Sequence, residues 1–240
     1  VKDDKNESVD KIPQPPPRAP FTSREFYWLD MSQYADLRDI AEFSLLGEAH
    51  FKQRHQEQIA RVPEKDRGVE AIFAPPHQMH IHWAVIILVC IRLEETVKGV
   101  STLLHKNDAL PKTIQNYRDG SLIEKFREFL VESAGWSVDV PEKSAWEDVF
   151  GVYAIRNCLI HYQASFGDYA AANEKRAIEI QTFSDRHGTP GIIETWLDID
   201  LNTSQACIDA VTKFFDELFA VLKKRSDYLD SDRLILGEEL

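Results

Sequence analysis

Cysteine is scarce in this chain of 240 residues: Cys90, Cys158 and Cys207 are three, far apart, and form no C-x-x-C pair. A disulfide scaffold is therefore excluded, and a reduced, cytoplasmic setting is expected. Long hydrophobic runs are missing as well. The longest, Trp83 to Ile91, is bounded by His82 and Arg92. It falls short of the ~20 residues of a membrane helix and reads as a buried core helix. The start, Val1 to Asp10, is charged where a secretory signal needs an apolar stretch, so no signal peptide is expected. Positive charge is in deficit, with 28 Lys and Arg against 40 Asp and Glu and a net charge of -12. Indiscriminate binding to nucleic acid or an anionic membrane depends on summed positive potential, so it is excluded, and any nucleic-acid partner needs a local basic cleft. P-loop, G-x-G-x-x-G, G-x-S-x-G and H-E-x-x-H signatures are all absent.

What is present reads as mainly helical. Residues 1–20, ending in a proline run from Pro13 to Pro20, form a disordered or extended lead-in, and residues 226–240 an acidic, frayed tail. Between them, residues 21–225 read as one domain. Apolar spacing from Phe26 to Val62 suits helices, and Gly68 and Pro75-Pro76 break them. Gln78 to Lys106 is apolar on nearly all sides in its first half, as a central helix is. Leu122 to Ala134 forms a shorter amphipathic helix stopping at Gly135. Ser144-Ala145-Trp146-Glu147 has capping-box spacing and opens a helix to about Tyr162. Ile178 to Phe183 and Ile192 to Ile199 are rich in β-branched and aromatic residues, which predicts a two-stranded hairpin over about 178–199. Asn202-Thr203-Ser204 offers N-caps for a closing helix through Leu222.

The helix ending at Tyr162 has almost no polar face, yet it carries Arg156, Asn157 and His161. Burying such groups costs several kcal/mol, on the order of a lost hydrogen bond or more, unless each finds a partner. At about 100° per residue, Asn157 and His161 share one side, one turn apart, with Arg156 roughly 100° away from Asn157. Two readings follow. In one, Arg156 pairs with a carboxylate, Asn157 caps a neighbouring backbone and His161 is a satisfied core histidine near a helix C-terminus. In the other, Arg156 presents its planar fork to a phosphate and His161, the residue type that titrates near neutral pH, moves protons. Residue types alone do not decide between them.

The run Arg156-Asn157-Cys158-Leu159-Ile160-His161, ending a buried helix of an all-helical unit, resembles the signature of the HEPN family (higher eukaryotes and prokaryotes nucleotide-binding): Arg, a polar residue that is often Asn, three more residues, then His. The order of two long helices, a shorter one, the motif helix, a hairpin and a final helix also resembles small bacterial HEPN proteins, over roughly Tyr34 to Arg225. The resemblance implies an antiparallel helical bundle and a metal-independent endoribonuclease of the toxin or phage-defence kind. It implies a symmetric homodimer that joins two motifs in one cleft, with RNA as substrate, no cofactor and no metal, and an antitoxin or other regulatory protein as a possible partner. His161 would transfer protons during attack of the RNA 2'-hydroxyl on the adjacent phosphate, Arg156 would stabilise the phosphoryl oxygens, and Asn157 would orient phosphate or imidazole. Glu94, bordering the apolar face of the central helix, is the acidic residue placed to reach Arg156; Glu95 falls on the opposite side. Members regulated by a nucleotidyltransferase often carry Tyr two residues after the His, where this chain has Gln163, with Tyr162 next to His161. The alternative is a catalytically silent HEPN-like module that binds RNA, nucleotide or a protein and uses these residues structurally.

Three further groups are weaker. His77, His80 and His82 resemble metal ligands, but on a helix His80 and His82 diverge, so no metal is expected. Lys52, Arg54, Arg61, Lys65 and Arg67, mixed with acids, read as a solvated face. Arg186-His187-Gly188 is expected at the tip of the hairpin as an exposed basic spot.

Overall fold

The structure, a computed structural model, describes residues 23–67 and 77–225. The lead-in, the Gly68 and Pro75-Pro76 breaks, the side chain of His77 and the acidic tail lie outside the described residues. Seven helices and one small antiparallel sheet occur among those described: α1 (Ser23–Arg61), α2 (His77–Asn107), α3 (Leu122–Glu128, prolonged by a wide turn at Phe129–Ser133), α4 (Lys143–Tyr162), α5 (Phe166–Ala172), α6 (Glu174–His187), β1 (Gly191–Ile193), β2 (Trp196–Asp198) and α7 (Leu201–Arg225). No helix among them is long and apolar enough to cross a membrane.

The all-round apolar patterns mark the centre correctly. Val85, Ile86, Val89, Cys90, Leu93 and Val97 of α2 are buried, and they meet Trp146, Val149, Val152 and Ile155 of α4 and Phe214, Phe215 and Leu218 of α7 in one core. Around α2, α1 runs antiparallel, since Glu48 meets His82 while Asp36 meets Arg92. The segment expected as helices in the plural is a single helix of 39 residues. On the other side, α6 runs antiparallel to α4. Arg186 binds Asp148, and a Cβ on Gly151 would stand only 2.6 Å from Phe183 Cβ. The helices approach that closely because residue 151 has no side chain.

Five local expectations are corrected. Ile178 to Phe183 is not a strand but the middle of α6: Ala177, Ile180 and Phe183 recur at helical spacing on its buried face, while Ile178 is 60% exposed. The hairpin is real but shorter, three residues per strand, paired Gly191 with Asp198 and Ile193 with Trp196, and all of it but Gly191 lies within the segment expected as the second strand. Arg186-His187-Gly188 is therefore the C-terminal end of α6, where Gly188 takes a left-handed conformation (φ 69°). The Ser144–Glu147 capping box does not form, because α4 starts two residues earlier, with Glu142 as N-cap, and Ser144 Oγ accepts from Lys213 instead. A capping box does form at Ser121 and Glu124, at the start of α3. The cap of α7 is Asp200, whose carboxylate accepts from the Thr203 N–H at 2.8 Å, not Asn202, Thr203 or Ser204.

Candidate functional site

Burial along α4 is not uniform. Ten of its residues are buried, but Phe150, Tyr153, Arg156, Asn157, Ile160 and His161, which follow one another at helical spacing, are half-buried or exposed. That stripe leads to the C-terminal turn, where Ile160 is 41% exposed and His161 is exposed with no hydrogen-bond partner among the described residues. His161 is thus not the enclosed, doubly bonded core histidine of the first reading. The helix ends without a glycine. Gln163 (φ 51°) and Ala164 (φ 67°) both enter the left-handed region and aim their N–H groups at the Cys158 carbonyl. Backbone of that kind is costly for non-glycine residues and concentrates at functional turns.

Arg156 is held on two sides. Its Nη1 donates to Asn157 Oδ1 at 2.8 Å, and its guanidinium lies 5.6 Å from the centre of the Tyr153 ring. Glu94 does not pair with Arg156 directly. Its carboxylate accepts the Tyr153 hydroxyl at 2.9 Å, and Lys98 approaches it at 3.6 Å, so the acid acts on Arg156 through the intervening phenol. Burial, and then the hydrogen bond and charge of Glu94, push the Tyr153 phenol up to about 12, against the opposing pull of Arg156. Burial likewise pushes the neighbouring Cys90 thiol up to about 12, keeping it an unreactive core group.

Asn157, His161 and Tyr162 line one side of a polar cleft of about 540 Å³ whose other side is Tyr169, Asn173 and Arg176. Asn173 Nδ2 donates to the Tyr162 hydroxyl at 3.2 Å, and Tyr162 and Tyr169 meet edge to face at 5.2 Å. The Tyr169 hydroxyl is buried without a partner among the described residues. Arg176 is fixed by Glu179 at 2.9 Å and by Glu124 at 2.5 Å. Burial raises the Glu124 carboxyl, but hydrogen bonds from Lys175, Ser121 and Arg176 outweigh it and bring the group down to about 2. The second arginine was missed in the sequence because its helix was read as a strand. Treating Glu174 to His187 as helical would have placed Asn173 and Arg176 at its start, near the motif.

The weaker candidates separate from this site. His82 is buried in another contact, with Nδ1 3.1 Å from Ser204 Oγ and Nε2 3.1 Å from Glu48 Oε2, while His80 is exposed beside Trp83. No group of three His, Cys, Asp or Glu side chains among the described residues is placed to hold a metal ion. Lys52, Arg54, Arg61, Lys65 and Arg67 are exposed along α1 and the turn after it. Arg186 is not a free basic spot: it binds Asp148 and Glu147, and His187 Nε2 lies 3.2 Å from Asp148. What the structure brings together at one helix end is Arg156, Asn157, His161 and Tyr162, with Glu94 one residue removed. Against known proteins, no family model, no curated protein and no solved structure gives a significant match to the chain.

Proposed function

We propose that this chain is a HEPN-type, metal-independent endoribonuclease acting as a homodimer. The observation that carries the reading is the open C-terminal turn of α4, where an unpartnered, exposed His161 lines a polar cleft together with Asn157, the residue that holds Arg156. In the reaction, the 2'-hydroxyl oxygen attacks the adjacent phosphorus while the bond from phosphorus to the 5'-oxygen breaks. The imidazole of His161 takes the hydroxyl proton, and the leaving 5'-oxygen gains one. A twofold axis through the turn supplies a second imidazole for that protonation. Arg156 meets the charge growing on the non-bridging oxygens, and Asn157, whose amide oxygen already holds Arg156, keeps the guanidinium in place. The products are a 2',3'-cyclic phosphate and a 5'-hydroxyl. A substrate with a single 2'-deoxy sugar tests this chemistry: cleavage should vanish at that linkage and persist at its neighbours, whereas cleavage at the deoxy position would exclude the mechanism.

A second reading, an inactive module using the same residues to bind RNA, nucleotide or a protein, is favoured by the partners Arg156 already has within its own helix. The two differ in one outcome: the inactive module leaves every linkage intact.

A further inference from the structure

Next to the turn that follows His161, with Gln163 on its wall, lies a groove of about 540 Å³ lined also by His80, Trp83, Ile193, Glu194, Trp196 and Asp198. The hairpin is sewn to that turn. Leu197 N–H donates to the Ala164 carbonyl at 2.9 Å, Gly167 N–H to the Thr195 carbonyl at 3.0 Å, and Trp196 bridges to Ser165. The aromatic wall is thereby held within a few residues of the proposed proton-transfer group. Trp196 is 52% exposed and Ile193 60% exposed, so the groove offers bare apolar faces to solvent. Its polar groups are unused. The carboxylates of Glu194 and Asp198 are exposed and have no partner among the described residues, and the Trp83 indole Nε1–H is buried without an acceptor.

We infer that this groove is a nucleobase subsite selective for guanine, placed to hold the base next to the cut linkage. The inference rests on the ribonuclease reading for its place in the reaction, but not for the binding itself. Two carboxylates in a lining with no lysine or arginine disfavour phosphate, so what enters beside them is the uncharged part of a nucleotide. Indole faces stack unpaired bases, as single-stranded RNA requires. Among the bases only guanine presents two adjacent donors, N1–H and the N2 amino group, to a carboxylate that accepts and never donates. Uracil flanks its one N–H with carbonyl oxygens, and adenine and cytosine set a ring acceptor beside their amino group, so each points a lone pair at the carboxylate.

Calorimetric titration of the full chain with GMP and with AMP tests the assignment. GMP should bind at least about tenfold more tightly than AMP. The double variant Glu194→Gln with Asp198→Asn, both at exposed positions, should erase that preference, and Trp196→Ala should weaken both nucleotides by about tenfold or more. Equal binding of GMP and AMP, no saturable binding of either, or a preference that survives loss of both carboxylates would overturn the inference. So would binding of choline in place of GMP, which would show that the aromatic and acidic walls take a cation. Selective GMP binding by a protein that cuts no RNA would keep the groove and remove the nuclease. RNA cleavage without guanine selectivity would do the reverse.

Discussion

Arg156 occupies its place because three neighbours put it there: Asn157 accepts from it, the Tyr153 ring lies against it, and Glu94 fixes the Tyr153 hydroxyl. Tyr153→Phe keeps the ring and deletes only the link to Glu94. It should cost about 1 kcal/mol of stability and reduce RNA cleavage less than Arg156→Ala does. The same phenol gives a pH signature. Its pKa is raised to about 12 in the folded chain from an unfolded value of 10.0. Between those values the unfolded state loses a proton that the folded state keeps, so stability falls as pH rises from 10 toward 12. Chemical denaturation of wild type and Tyr153→Phe across that range should show the wild type losing ground with rising pH. Parallel curves would show that the phenol is not held as described. At this scale the sequence named Arg156, Asn157, His161 and Glu94, because strongly polar residues stand out in an apolar helix. Tyr153 escaped notice, since a tyrosine in such a helix reads as core until its hydroxyl is seen to have a partner.

At the level of elements, the site depends on how closely α6 lies against α4. Gly151 sets that distance, for a Cβ there would stand 2.6 Å from Phe183 Cβ and 3.1 Å from the Glu179 carbonyl. Gly151→Ala should force the helices apart and cost about 1–3 kcal/mol, read as a lowered melting temperature. A variant as stable as the wild type would mean that the contact yields freely. Glu179 also binds Arg176, so the same change should disturb the cleft. Helices α2 and α4 were legible because apolar residues on every side leave no other packing solution. Helix α6 was not. Ile178, Ile180, Thr182 and Phe183 favour a strand by residue type, but the pairing needed for one is absent, and the three-residue spacing of Ala177, Ile180 and Phe183 against α4 prevails. The N-caps failed for a related reason: Ser144 and Thr203 have the right chemistry, but helix starts are set by Glu142 and by Asp200.

Over the whole molecule, one buried contact joins three helices far apart in sequence: Glu48 of α1, His82 of α2 and Ser204 of α7. It holds the outer helix against the core, and it uses one of the three histidines that resemble metal ligands in the sequence. The net charge of -12 lies outside the motif. Arg156 sits on the same helix as His161, and Arg176, across the cleft from it, is balanced by Glu124 and Glu179. RNA held by such a surface is gripped at a few points, so binding should be weak and cleavage local. That makes catalysis a better readout than affinity. The most direct measurement is cleavage of single-stranded RNA by the purified chain in EDTA, beside His161→Ala. The wild type should cut. His161→Ala should not cut while melting at the wild-type temperature, because the side chain is exposed and unpartnered. An inert wild type, or a His161→Ala variant that still cuts in EDTA, would contradict the account.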